Sequence, residues 1–207
     1  MSTVDYPPEP WDLRGHGYVS LWQVPVSALP PLPPEVKPLS LLGRALVSTA
    51  FVDYLPGGLL PYHELLAGVL VRQGRQVGLT ITDIWVDSPS SRAGGRELWG
   101  IPKELADFKL VHEPTFTGTA TENDTVLADA HVRKLFGGVK LPVPVQGTVL
   151  QTLNGALART PVRANARIHL ARSTWQVGGA LSWLSGRRPF ATITATDFDL
   201  RFGPRRA

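Results

Sequence analysis

Apolar and polar residues alternate along much of this chain in short stretches. That is the period of two that sends successive side chains to opposite faces of a strand. Residues 44–54 (RALVSTAFVDY), 64–72 (ELLAGVLVR) and 76–86 (QVGLTITDIWV) are rich in β-branched and aromatic residues. Pro56-Gly57-Gly58 makes a turn, and the Gln73-Gly74-Arg75 step predicts a hairpin. Residues 17–24, 108–113, 115–121, 125–133, 163–172 and 190–202 repeat the strand pattern, with Asn123-Asp124 as a turn before one of them.

Helical signals are few. Residues 88–98 open on Ser88-Pro89, a cap followed by the residue best suited to a first helical turn. Residues 102–107 (PKELAD) predict one or two further turns of helix, and residues 152–159 (TLNGALAR) another short one. Prolines at 25, 30, 31, 33 and 34 make residues 26–38 an extended connection. Residues 1–12, polar and containing Pro7, Pro8 and Pro10, read as an arm or tail. Many short strands without a βαβ rhythm predict a mostly β chain, an antiparallel sandwich or barrel with a few short helices, and residues 1–207 read as a single domain.

Composition narrows the chemistry. The absence of Cys excludes a disulfide scaffold, an iron–sulfur cluster and a Cys nucleophile. The longest apolar run, residues 65–71, is far short of a membrane span, and the N-terminus lacks the basic flank and apolar core of a signal peptide. These features predict a cytoplasmic protein with no membrane partner. The net charge of +4 demands no anionic partner, and Arg187-Arg188 and Arg205-Arg206 come without any RNA- or DNA-binding pattern, so no nucleic-acid partner is expected. The five His are scattered, with no H-E-x-x-H, and no metal is expected. His63-Glu64 and His112-Glu113 would point to opposite faces of a strand. No phosphate-binding glycine loop and no nucleophile elbow occur, and no cofactor is expected.

The densest segment is residues 94–110, GGRELWGIPKELADFKL. Lys is scarce here: the 21 basic residues divide into 16 Arg and 5 Lys. Lys103 stands among Trp99, Ile101 and Leu105, an apolar collar that would desolvate its ammonium. The start of a helix at Pro102 would add the positive end of a dipole. Both effects lower a Lys pKa from its ordinary value of about 10.4, toward the neutral amine that Schiff-base chemistry needs. Arg, held protonated, cannot do this chemistry.

The pattern G-R-E-L-x-x-x-P-K-x-L over residues 95–105 resembles the signature of the acetoacetate decarboxylase family, and residues 58–64 (GLLPYHE) resemble the family's loop-to-strand segment with its active-site Glu. The resemblance puts the family's Schiff-base Lys on Lys103 and its Glu on Glu64. It implies a cone- or barrel-like sheet around a buried pocket, a homo-oligomer and a small keto acid or similar acidic ligand as partner. Where the family has a second Lys, this chain has Glu104, whose carboxylate would raise the pKa of Lys103. No Glu stands near Thr49 or Ala50, where the family carries one, and either Arg14 or His16 would match its N-terminal Arg.

Two functions follow. In the first, Lys103 attacks the carbonyl of a small keto acid, and the imine serves as an electron sink for loss of CO2 or for aldol or dehydration chemistry. Glu64 would orient substrate or shuttle protons, and Ile84, Trp99 and Ile101 would form apolar walls. Arg14 would hold a carboxylate, and Glu104 would assist if it points inward. In the second, the same fold binds a small molecule without catalysis and Lys103 is a solvated or salt-bridged cation.

Overall fold

Segments that bury both faces account for most of the architecture. Residues 44–54 send Ala50, Val52 and Tyr54 to one side and Ala45, Val47 and Phe51 to the other, and all six are buried. The computed structural model describes residues 4–140 and 144–206. Its strands are β1 (Trp11–Pro25), β2 (Lys37–Pro38), β3 (Ser40–Leu41), β4 (Arg44–Tyr54), β5 (Tyr62–Gln73) and β6 (Gln76–Val86). After helix α1 (Pro89–Trp99) come β7 (Lys103–Leu105), β8 (Asp107–Val111), β9 (Phe116–Glu122), β10 (Thr125–Lys140), β11 (Val145–Leu153), β12 (Ala156–Val177) and β13 (Ala191–Phe202).

All thirteen strands join one sheet, in the order β11-β6-β5-β4-β1-β13-β12-β10-β9-β8 along its main path. A second pairing, β11 with β12, curls the first seven into a ring. The closure is antiparallel except where β11 meets β6, in parallel, at Val149 and Leu79. Inside the ring lies one apolar cluster, which includes Leu13, Val52, Ile84 and Phe198. β12, 22 residues long, serves two layers: its first half closes the ring and its second half pairs with β10. β8, β9 and β10 fold back over the outside of β1, β4 and β5 and bury a second cluster around Tyr18, Phe51, Leu65 and Phe116. A third cluster, with Trp22, Val24, Val47 and Leu184, fills one end beneath the proline-rich connection.

The expected helix at residues 88–98 forms as α1, with Ser88 Oγ accepting the Ser91 amide and Gly100 ending it in a left-handed conformation at φ 68°. Two other expected helices do not form. Residues 102–107 become β7 and the start of β8, because Lys103, Glu104 and Leu105 find a parallel partner in Ile84, Trp85 and Val86. That ladder satisfies backbone groups a one-turn helix would leave open. Residues 152–159 straddle a hairpin. Asn154 and Gly155, at φ 51° and 77°, make the two-residue turn between β11 and β12, and Asn-Gly is the strongest short signal for that turn.

The N-terminal boundary also moves. β1 begins at Trp11, six residues before the expected strand start, and Trp11 is buried. The preceding residues are anchored along α1: Tyr6 donates to Glu97, Ser90 donates to the Asp5 carbonyl, and Trp99 Nε1 donates to Glu9. The expected arm is therefore docked from Asp5 onward, and residues 1–3 lie outside the described residues. Among the described residues, no helix is long and apolar enough to cross a membrane.

Candidate active site

Strand alternation decides which side chains meet. On β5 it turns Tyr62, Glu64 and Leu66 into the ring and His63 and Leu65 outward. On β7 it turns Lys103 inward and Glu104 outward. The ring encloses a cavity of about 700 Å³, and its only charged lining residues among those described are Glu64 and Lys103.

These two are 3% and 4% exposed, and Lys103 Nζ donates to Glu64 Oε2 at 2.8 Å. Nζ also donates to Ser91 Oγ at 2.9 Å and to the Tyr62 hydroxyl at 3.3 Å. Tyr54 and Tyr62 donate to the two Glu64 oxygens at 3.3 and 3.4 Å. Burial, followed by the Glu64 carboxylate, pushes the Tyr62 phenol up to about 12 and the Tyr54 phenol well above its usual range, so both remain protonated donors.

Residues 94–100 explain how Lys103 reaches this point. Its stem runs back along α1 over Gly95, where a Cβ would stand 2.7 Å from Lys103 Cδ. Gly94 admits the Trp11 ring in the same way. Arg96 Nε donates to the Lys103 carbonyl at 2.6 Å, and its guanidinium pairs with the Glu104 carboxylate. Gly95 thus makes room for the Lys103 stem and Arg96 holds its backbone, while Gly94 and Glu97 seat Trp11 and Tyr6.

The electrostatics differ from expectation. Burial is the largest influence on Lys103 and pushes its pKa down, but the Glu64 carboxylate and Tyr62 outweigh it and hold the amine above its ordinary value. Glu104 is not the cause. Its half-exposed carboxylate faces Arg92 and Arg96, away from the cavity. The expected helix dipole at Pro102 is absent, although Nζ reaches the first turn of α1 at Ser91.

Of the other candidates, Ile84, Trp99 and Ile101 line the cavity as apolar walls. Arg14 does not. Leu13 takes the inward position on β1, so Arg14 projects outward, exposed, against Gly57. Glu104 fails for the same reason of parity on β7. His16 also lies outside the cavity and accepts the Asp197 amide. Ser91, Tyr54 and Tyr62 were not singled out from sequence. Tyr62 was within reach, since a residue two before Glu64 on a strand shares its face.

The His residues are less scattered than the sequence suggests. Behind the site, His63 and His112 flank the buried Asp53 at 3.4 and 2.9 Å, and His63 Nδ1 lies 2.6 Å from Asp87. His16 stacks edge-on to His112 at 6.0 Å. Among the described residues, no group of three or more His, Asp or Glu is arranged to hold a metal ion.

A family model described as acetoacetate decarboxylase matches residues 2–152. The chain belongs to the acetoacetate decarboxylase family. Acetoacetate decarboxylase 3 of Mesorhizobium japonicum is 31% identical over 120 residues, 55% of this chain and 44% of that protein, so the match spans less than half of the relative. The acetoacetate decarboxylase of Legionella pneumophila shares the fold, with a TM-score of 0.74 and 20% identity over 100% of this chain and 91% of that one. So does the enduracididine biosynthesis enzyme MppR complexed with pyruvate, with a TM-score of 0.70 and 16% identity over 97% and 90% of the chains. An acetoacetate decarboxylase-like enzyme from Sphingomonas wittichii is similar with a TM-score of 0.69 and 13% identity over 98% and 93%.

Proposed function

We propose that this protein is a Schiff-base-forming lyase that decarboxylates a β-keto acid through Lys103. The observation that carries the reading is a buried amine, 2.8 Å from a buried carboxylate, facing a large apolar cavity. Family membership supports lyase chemistry of this kind.

The steps follow from these groups. Glu64 takes a proton from the Lys103 ammonium and frees the nitrogen lone pair. The amine attacks the ketone carbon, and two N–H protons finally leave with the carbonyl oxygen as water. The product is a protonated imine on Lys103. The bond to the carboxylate then breaks, CO2 departs, and the electron pair passes into the imine to form a neutral enamine. The apolar walls favour this step, because it removes a carboxylate from surroundings with few hydrogen-bond donors. A proton drawn from solvent and delivered by Glu64 adds to the former α-carbon, and water returns Lys103 and a methyl ketone. Ser91 and Tyr62 hold Nζ in place throughout. The net reaction consumes one proton and yields one CO2.

A second reading, ligand binding without catalysis, is favoured by one observation: Glu64 holds Lys103 in its charged form. Borohydride reduction in the presence of acetoacetate or pyruvate separates the two. The lyase gives a stable mass adduct on Lys103 that is absent from Lys103→Ala. No adduct across a panel of keto acids would leave the binding reading standing.

A further inference from the structure

The cavity is much larger than its charged end requires. On β5, Glu64 and Leu70 both line it, and on β4 so do Tyr54 and Ser48. Six residues of strand span roughly 20 Å, which on a ring with strands tilted by about 45° leaves on the order of 15 Å of cavity beyond the Lys103–Glu64 pair. The near end, around Lys103, is closed by the buried Trp11, Trp99 and Ile101. The exposed lining residues, Val77, Val145, Gln146 and Gly147, belong to the other end, Val77 and Val145 being 53% and 56% exposed.

Between the two ends the wall is aliphatic. Val19, Leu66, Leu70, Leu79, Ile168 and Ile193 all face inward. Among the described lining residues, no Arg and no Lys other than Lys103 is present to bind a second anionic group along the way. At about 700 Å³ the space falls in the range that encloses drug-sized molecules, not four-carbon acids. A small acid bound at Lys103 would leave most of this apolar surface without a partner.

From this we infer that the substrate is a β-keto acid carrying an extended apolar chain, with the keto acid head at Lys103 and the chain lying toward Val77 and Val145. The inference rests on the Schiff-base reading for the head group and on the cavity wall for the tail. The reaction is then loss of CO2 from a long-chain 3-oxo acid, with one proton taken up, to give a long-chain methyl ketone. The small keto acid expected from sequence would be the shortest member of the class.

The test is a series of straight-chain 3-oxo acids beginning with acetoacetate, each trapped on Lys103 with borohydride over a range of concentrations. The half-saturating concentration should fall roughly fourfold per added methylene until the chain fills the cavity, then level off. Ser48→Phe narrows the far end and should lower the preference for long over short members at least tenfold. Gly147→Leu provides a second such variant, since a Cβ there meets no atom within 4 Å. Adducts with acetoacetate whose half-saturation is flat or rises with chain length would overturn the chain assignment and leave the Schiff base standing. No adduct with any member would overturn the Schiff-base reading instead. Calorimetry with the matching 3-hydroxy acids, which cannot form an imine, reports on the tail alone. Affinity independent of chain length there would overturn the tail assignment by itself.

Discussion

Lys103 balances two opposed influences, and the nearest carboxylate decides the balance. Burial favours the neutral amine, whereas Glu64 at 2.8 Å favours the cation. Glu64→Gln removes the leading influence that raises the pKa and leaves burial in place, so the Lys103 pKa falls. Borohydride trapping on Lys103 should then reach its maximum at lower pH than in the wild type, while turnover drops by roughly 10²–10⁴ as the proton carrier is lost. An unshifted profile would mean that Glu64 does not set the charge of the amine. Removing one member of a buried pair also leaves the other uncompensated, so Glu64→Leu should cost on the order of 3–5 kcal/mol in urea unfolding. Glu64→Leu combined with Lys103→Met should recover most of that loss.

At the scale of the element, α1 is the part that aims the amine. A glycine within it, Gly95, and the glycine that ends it, Gly100, are both shaped by close approach, yet substitution at them should have different results. Gly95→Ala places a Cβ 2.7 Å from Lys103 Cδ, in the path of a flexible stem. The helix gains up to about 1 kcal/mol in propensity, which offsets the contact, while Nζ shifts. A misplacement of about 1 Å is worth roughly a hundredfold in rate, so activity should fall steeply with stability nearly unchanged. Gly100→Ala should do the reverse. Its Cβ would stand 2.3 Å from the Thr152 carbonyl, a backbone atom of β11, at a φ of 68°. Urea unfolding should show a loss greater than about 2 kcal/mol, more than the left-handed conformation alone would cost.

For the molecule as a whole, the charged network behind the site ties stability to pH. His63 is held above its ordinary pKa, chiefly by its hydrogen bond to Asp87. Burial pushes Asp87 up, but the hydrogen bonds from His63 outweigh it and hold the carboxyl below its usual value. A raised His contributes stability that is fully present below its unfolded pKa, about 6.5, and is lost as pH rises through the folded value. A lowered Asp contributes stability above about 3.9 that is lost in acid. The pair therefore stabilises most between roughly pH 4.5 and 6. The melting temperature of the wild type relative to His63→Asn should be highest near pH 5.5 and should shrink by pH 8.5. The comparison reports on His63 together with its contacts to Asp87 and Asp53, since both carboxylates lose a partner in the variant.

Much of the candidate site was legible in the sequence. Period-two stretches marked β4, β5, β6 and β13, because a strand's alternation is a local property that needs no partner to be read. The P-K within G-R-E-L-x-x-x-P-K marked Lys103, and the family pattern marked Glu64. Short elements were decided elsewhere. Lys103-Glu104-Leu105 is compatible with a helix until the free edge of β6 is there to pair with it. Whether a residue faces the cavity is a matter of parity on a strand whose position the fold must set. That is why Arg14 and Glu104, each one residue out of phase with an inward neighbour, fall outside, while Ser91 and Tyr54 enter from elements distant in the chain. The charge of Lys103 depends on its distance to a carboxylate 39 residues away, and only the pairing of β5 and β7 on either side of β6 brings the two within hydrogen-bond reach.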